Sequence, residues 1–506
     1  MFSSMFAAGV YCVDLNASVA VMCRISSDKE QRIIMRKSWL AVMFSVASMA
    51  CLTSGCSALP DGDDPRTSEP VGTSQQPLVY GWSNRYGDIN YQHAGDVTVD
   101  VSDNIIITAG GEGSVDFGGG AHTPTFYGVM LAKFDDSGNC IWSKMFEGVN
   151  LMGVATDSAG NVNIVGTMFG AIDFGGGPMS PLGMSDIFVA QFDASGNYVW
   201  SDRFGGGPLE YAEGMAIAVD SSDNVIITGN YSGNLRFGSD FGIAVSNDVF
   251  LAKLDSSGNP VFGRFFGVPL VPGTGTGRAV AIDGSDNIVI SGWYYGSMDF
   301  GGGPTPLVSV PDTADAFVAE FDSSGTYLWD TTFGNSGEAD ALNVATDSLG
   351  NVAVVGSFTG NMDIGGSTLT SAGNTDIFVA QFDNSGTHLW SHGFGDTDWD
   401  MASGVSINDS GDVFVTGDIG GAVDFGGGTL TSAGSSDVFV AHFDGSGTHV
   451  WSENYGDTDP QGGSSIKIDS NGNAVVTGAF FGSVNFGGTT LTDAGTGDIF
   501  LAQFTP

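Results

Sequence analysis

Asp396, Asp398 and Asp400 alternate along one short segment with Trp399 between the last two, and they are the side chains best able to do chemistry in this sequence. Alternating carboxylates present oxygens to a hard cation, and Ca²⁺ takes six to eight of them. The glycine and distal glutamate of an EF-hand do not follow, so the expectation is calcium held by these three and not an EF-hand loop. Further acids and aromatics recur at corresponding places: Glu210, Tyr211 and Glu213, then Glu338 and Asp340, then Asp457 and Asp459. Tyr211, Glu213, Glu338, Asp340, Trp399 and Asp457 are the expected contacts for a protein, glycan or cationic partner. The competing reading of the same acids is a solvated, charged surface.

Other chemistries find little support. Of the six histidines, His93, His122, His388, His392, His442 and His449, only His388 and His392 stand at i, i+4, and they do so in a β-rich run and not on a helix; with no link to cysteine, the usual zinc patterns are not met. An aspartate precedes a Phe-x-Ala run at Asp186, Asp248, Asp315, Asp376, Asp437 and Asp498, which suits a residue holding its neighbouring turn and not six general bases. No nucleophile elbow, phosphate loop or dinucleotide fingerprint stands at a strand-to-helix turn. With 57 acids against 15 bases, the net charge of −42 repels phosphate backbones, so no nucleic acid is expected as a partner. No enzyme activity and no cofactor other than calcium are expected.

The elements that must position these residues are repeats. Trp82, Trp142, Trp200, Phe262, Trp329, Trp390 and Trp451 recur at spacings of 60, 58, 62, 67, 61 and 61 residues. Each unit carries four short β-rich runs with no helical stripe, separated by Asp/Ser/Gly/Asn turns such as Asp157 to Asn161 and Asp193 to Asn197. Aspartate accepts backbone hydrogen bonds two residues on, and Gly or Asn tolerates positive φ, so these are hairpin turns. Glycine, at 78 residues, is about twice its usual share of ~7%. The expected fold is all-β: a single seven-bladed β-propeller of four-stranded antiparallel blades over residues 78–506. The last unit stops at Phe504 without an outer strand, so residues 78–86 are expected to close the ring by pairing with it. This order puts the tight turns on one face and the long acidic and glycine-rich connections on the other.

The segments Val-x-Val-x-Gly, Asp-Phe-Gly, Asp-x-Phe-x-Ala and the Leu-Thr-Ser-Ala-Gly loops at 369–373 and 430–434 resemble the bacterial SBBP (seven-bladed β-propeller) repeat family, related in pattern to NHL-type propellers. That resemblance implies an extracellular or envelope propeller without a general assigned activity. Phe262 in place of tryptophan and Tyr127-Gly128-Val129-Met130 in place of Asp-Ile-Phe-Val depart from the pattern.

Upstream, residues 35–55 open with Met-Arg-Lys and pass through an apolar run to small residues, as a signal peptide does. Leu52-Thr53-Ser54-Gly55-Cys56 resembles a lipobox, which makes Cys56 the expected lipidation site. Residues 1–34 have no pattern and read as an unstructured stretch before a true start at Met35, and residues 56–77 read as a flexible tether. The expectation is therefore a monomeric, lipid-anchored protein of the bacterial cell envelope, at the outer membrane or cell surface, acting as a binding scaffold and touching the membrane only through its anchor. The alternative is a propeller-type envelope enzyme, a quinone-dependent dehydrogenase or polysaccharide lyase, since the Phe-Asp-x-Ser-Gly-x-x-x-Trp stretch is similar to the tryptophan repeat of quinone propellers.

Overall fold

The computed structural model describes residues 78–268, 273–302, 306–311 and 313–506, together with two short backbone strands, Val10–Cys12 and Cys23–Ile25, that pair antiparallel. The segments expected as signal peptide and tether, Cys56 included, lie outside the described residues. Among the described residues every regular element is a strand. In the first repeat Gln92–Val99, Ile105–Gly111, Gly128–Phe134 and Cys140–Glu147 pair antiparallel in that order. The same inner, second, third and outer order recurs down the chain, for instance in Asp400–Ile407, Val413–Ile419, Asp437–Phe443 and His449–Tyr455.

Each inner strand contacts the inner strand of the next repeat, and Gln461–Ile468 contacts Gln92–Val99. The inner strands thus surround a common channel, the β-propeller arrangement. The second and third strands are buried on both sides because they lie between neighbouring sheets, which is why they read as unbroken apolar runs and not as alternation. Each apolar cluster accordingly joins two consecutive repeats: Val355, Ile377 and Val379 pack with Val413, Val415 and Phe439. The cluster of Ile105, Ile107 and Phe134 takes in Val475, Ile499 and Leu501 from the far end of the chain. Val79–Tyr86 pairs antiparallel with Asp498–Thr505.

The repeated tryptophans sit on outer strands and cover the third-to-outer turn of the following repeat. Trp390 lies over Gly447, whose φ is +79° and where an added Cβ would meet the indole at 2.5 Å. Trp142 and Trp200 add hydrogen bonds from Nε1 to the carbonyls of Ala194 and Ser256, at 3.1 and 3.2 Å. Phe262 covers Gly325 in the same way without a donor. Trp451 Nε1 is buried with no hydrogen-bond partner.

The Asp-x-Ser-Gly-Asn turns form as their side chains dictate. Asp157 Oδ1 accepts from the backbone N–H of Ala159 and Asn161, at 3.0 and 2.9 Å. Where the fourth turn residue is aspartate in place of glycine, φ stays positive, at 57° for Asp103, 61° for Asp223 and 63° for Asp286. Each of these three is clamped by a serine of the neighbouring repeat: Ser158 donates its N–H and Oγ–H to Asp223 at 2.8 and 2.9 Å. Ser221 does so to Asp286, and Ser470 to Asp103. The left-handed backbone and the inter-sheet clamp are one device. Asp223→Ala is expected to cost about 1–2 kcal/mol, from two lost hydrogen bonds and a Cβ without a compensating partner. Asp223→Gly should cost less than Asp223→Ala, as read from denaturant midpoints.

Candidate functional site

The inner strands enclose a channel of about 470 Å³. Every inner strand carries a register shift near its middle, as between Ala94 and Val97, Gly277 and Ala279, or Gly463 and Ser465. A bulge re-aims the extra residue and bends the strand. Aligned on the turn aspartate, the bulged positions are Gly95, Met152, Met215, Arg278, Leu342, Ser403 and Ser464. Arg278 is the cation of this set, and it lines the channel with Asp96, Asn343 and Lys467.

Asp96 stitches three inner strands together. It accepts from Val97 N–H at 2.8 Å, Val154 N–H at 3.1 Å and Ser465 Oγ–H at 3.0 Å. Burial nevertheless pushes its carboxyl above the ordinary range, against those hydrogen bonds and the charge of Lys467. Lys467 meets water inside the channel while protein encloses it, and that enclosure lowers the ammonium pKa against the attraction of Asp96.

The long-loop face holds the acids singled out from sequence. Arg278 brings two of them together: its guanidinium pairs with Asp340 at 2.8 Å, and its charge acts on Glu213. Burial raises the Glu213 carboxyl, which accepts from Asn230 Nδ2 at 3.1 Å. Tyr211 opens that same inner strand, half-buried, its phenol raised by burial and by Glu213 and Asp248. Glu338 is exposed and joins its neighbouring loop through its backbone N–H, which donates to Thr359 Oγ1 at 2.9 Å.

Three of the rim acids hold loops. Asp396 accepts from Asp398 N–H at 2.8 Å and from Ala422 N–H, across the loop, at 2.7 Å. Asp457 accepts from Asp459 N–H and Ser483 N–H at 2.9 and 2.7 Å. Asp88 does the same with Asn90 and Ser114 at 2.8 and 2.7 Å. Gln92 and Gln461 complete the clamps of Asp88 and Asp457 by donating an amide to them. Asp400 holds the corresponding place beside Asp396, where it accepts from Asp396 N–H and Gly420 N–H at 3.1 and 2.9 Å. Burial, outweighing these hydrogen bonds, pushes its carboxyl up to about 6. Asp398 and Trp399 point to solvent, Trp399 with 60% of its surface exposed. Among the described residues no three His, Cys, Asp or Glu side chains converge on a point that could hold a metal, so Asp396, Asp398 and Asp400 share a loop without forming such a group.

Sequence reasoning missed an apolar surface on the same face. Tyr91, His93 and Tyr127 stack with centroids 5.6 and 6.3 Å apart, and Phe481 stacks on Tyr91 at 6.1 Å. Beside them Phe126 is 84% exposed, and Ile89, Phe169, Leu182, Met184 and Leu209 stand exposed on the long loops of the first three repeats. The departure at Tyr127-Gly128-Val129-Met130 was the available signal, since Gly128 stands where other repeats carry a loop-holding aspartate, and the aromatic Tyr127 precedes it.

No family model matches the chain. An uncharacterized WD repeat-containing protein of Acanthamoeba polyphaga mimivirus is 23% identical over 236 residues, 38% of this chain, and the chain spans 16% of that protein's length. Among solved structures, the Dos1 propeller aligns with a TM-score of 0.41 and 10% identity, covering 85% of this chain and 95% of its own. The β-propeller domain of the Trilobed protease from Pyrococcus furiosus gives 0.40 and 10%, covering 82% and 93%. A polysaccharide lyase, an ulvan lyase, gives 0.42 and 11%, covering 78% and 93%.

Proposed function

We propose that residues 78–506 form a seven-bladed β-propeller closed by Val79–Tyr86, and that it works as a binding scaffold of the bacterial cell envelope, lipid-anchored through Cys56 as the SBBP resemblance and the lipobox imply. The observation that carries the binding reading is the exposed apolar surface on the long loops. Large aromatic and aliphatic side chains set together on a rigid frame mark contact surfaces. Trp399 and Tyr211 stand on the same long-loop face, and the partner is a protein or a glycan. Asp396 and Asp457 shape the loops, so the rim acids act chiefly through those clamps.

The test is a glycan array and a pull-down from envelope extract, with Phe126→Ser and Trp399→Ala set against Val101→Ser and Leu349→Ser in the tight turns of the opposite face. A saturable partner whose affinity falls at least tenfold in the first pair and holds in the second supports the scaffold. Binding lost only in the second pair places the contact on the wrong face and ends this reading. A second reading, an envelope enzyme, draws on Asp96 and Lys467, whose pKa values are displaced toward one another in the channel. It requires turnover of a polysaccharide or a quinone-coupled substrate that Lys467→Met abolishes.

A further inference from the structure

One position of the third strand, always opposite the outer-strand tryptophan or its substitute, faces the next repeat. It is occupied by Lys133, Gln191, Lys253, Glu320, Gln381, His442 and Gln503. In the first and third repeats a buried ammonium fills the space. Lys133 Nζ lies 2.7 Å from Asp100 Oδ2 and donates to the carbonyls of Gly160 and Ala194 in the next repeat, at 3.3 and 3.4 Å. Lys253 Nζ lies 2.7 Å from Asp220 Oδ2 and donates to the Ser323 carbonyl at 2.9 Å. The space between these sheets is therefore built for a cation: one turn aspartate of its own repeat and turn carbonyls of the following one.

In the fourth repeat the aspartate and the turns remain, but the cation is replaced by Glu320. Its side chain is 1% exposed; the Trp329 indole and the Asn287 amide act on it as donors, but neither reaches hydrogen-bond geometry with a carboxyl oxygen. Asp283 occupies the place of Asp100 and Asp220. Its Oδ2 comes within 3.1 Å of the point where a Cβ on Gly350 would stand, and that point is 2.9 Å from Asn384 Cβ. Asp100 Oδ2, Gly160 and Ala194 show the same juxtaposition around Lys133, at 3.5 and 3.8 Å. The repeat thus sets Gly350 and Asn384 where Gly160 and Ala194 receive the ammonium.

We propose that this pocket between the fourth and fifth repeats binds a divalent, oxygen-liganded cation of the calcium class, held by Asp283, Glu320 and the turn carbonyls of Gly350 and Asn384. Two carboxylates that face one lysine-sized space carry the charge that a divalent ion neutralises, and carboxylate and carbonyl oxygens are the ligands such ions take. The site stands apart from Asp396, Asp398 and Asp400, which lie on the long-loop face.

The sibling repeats supply the test variants. In chelator-treated full-length chain at pH 8, CaCl₂ is expected to raise the melting temperature by about 2–5 °C at saturation. Glu320→Gln, the residue found in three sibling repeats, should weaken calcium binding at least tenfold in calorimetric titration. Glu320→Lys should melt at or above the calcium-loaded temperature with calcium no longer mattering, since the ammonium takes the ion's place. Asp396→Ala/Asp398→Ala/Asp400→Ala should keep the calcium shift. The proposal is overturned if neither calcium nor magnesium shifts the wild type at pH 8, if Glu320→Gln and Glu320→Lys both retain the shift, or if the triple variant alone removes it.

Discussion

A chain that begins at Asp88 is expected to lose the cooperative unfolding of the full repeat array and to melt at least 10 °C lower, or to fail to fold. The missing strand, Val79–Tyr86, is the outer partner of Asp498–Thr505 over its whole length. Without it the last sheet has three strands and a bare edge, open to pairing with other chains. Arg85 is the cation paired with Asp498, whose side chain is fully buried. A buried carboxylate stripped of its partner costs about 3–5 kcal/mol. Trp82 covers Gly138 of the first repeat and donates Nε1–H to the Asp136 carbonyl at 3.0 Å. Tyr86 packs with Phe117 and Phe134 at centroid distances of 5.0 and 5.4 Å, so the strand seals the first and last repeats together. Calorimetry of the shortened chain reads the loss, and a synthetic peptide of residues 78–87 should restore part of it. An unchanged melting temperature would falsify closure through this strand.

That strand was legible in the sequence because the repeat has a phase. The unit begins at a Trp-Ser segment, and the first of these, at Trp82, stands before any complete set of four strands, so its pairing partner had to come from another repeat. The tight turns were legible for a local reason: Asp at the first place and Gly, Asn or Asp at the fourth determine the turn among themselves. The candidate site was less open to reading. Arg278 escaped because a bulge removes it from the two-residue alternation that sorts inward from outward residues. Asp396 and Asp457 looked like free carboxylates because their donors, Ala422 and Ser483, lie 26 residues away across a hairpin. Lys133, Lys253 and Glu320 sit inside apolar third strands, and only the register against the next sheet shows what each of them faces.

The same buried carboxyls set the response to pH. In chelator, the two acids raised to about 7 are expected to lower the melting temperature by about 2–3 °C between pH 6 and pH 8, the reverse of what salt-bridged acids produce, a decline read as the difference between the wild type and variants that remove them. Burial pushes Glu320 up to about 7, with Asp283 adding to it, and pushes Asp418 up to about 7, with Asp400 adding to that. Asp248, Asp315 and Asp400 are pushed to about 6 by burial. Such an acid holds a proton in the folded chain that the unfolded chain has released. Between about pH 4 and the raised folded value the folded state binds more protons, so stability declines as pH rises through that window. From pH 6 to pH 8 each of the two acids near 7 contributes about 1 kcal/mol of that decline.

Two opposing groups bound the effect from below. Burial lowers His93, His388, His442 and His449, so unfolding takes up protons as the pH drops through about 6.5, and stability is lost there. Further down, Asp100, where hydrogen bonds from Lys133 and Asn104 outweigh burial, and Asp193, held low by Asn197, lose their contribution as they protonate below about pH 4. The histidines of the unfolded chain are half charged at about pH 6.5 and neutral only above about pH 7.5, so up to that point they raise stability while the acids lower it. Glu320→Gln and Asp418→Asn should each flatten the decline from pH 6 to pH 8, while Asp193→Asn should leave it unchanged. If Glu320→Gln and Asp418→Asn each follow the wild-type profile from pH 6 to pH 8, these carboxyls are ionised within the fold, each with a counter-charge at its side.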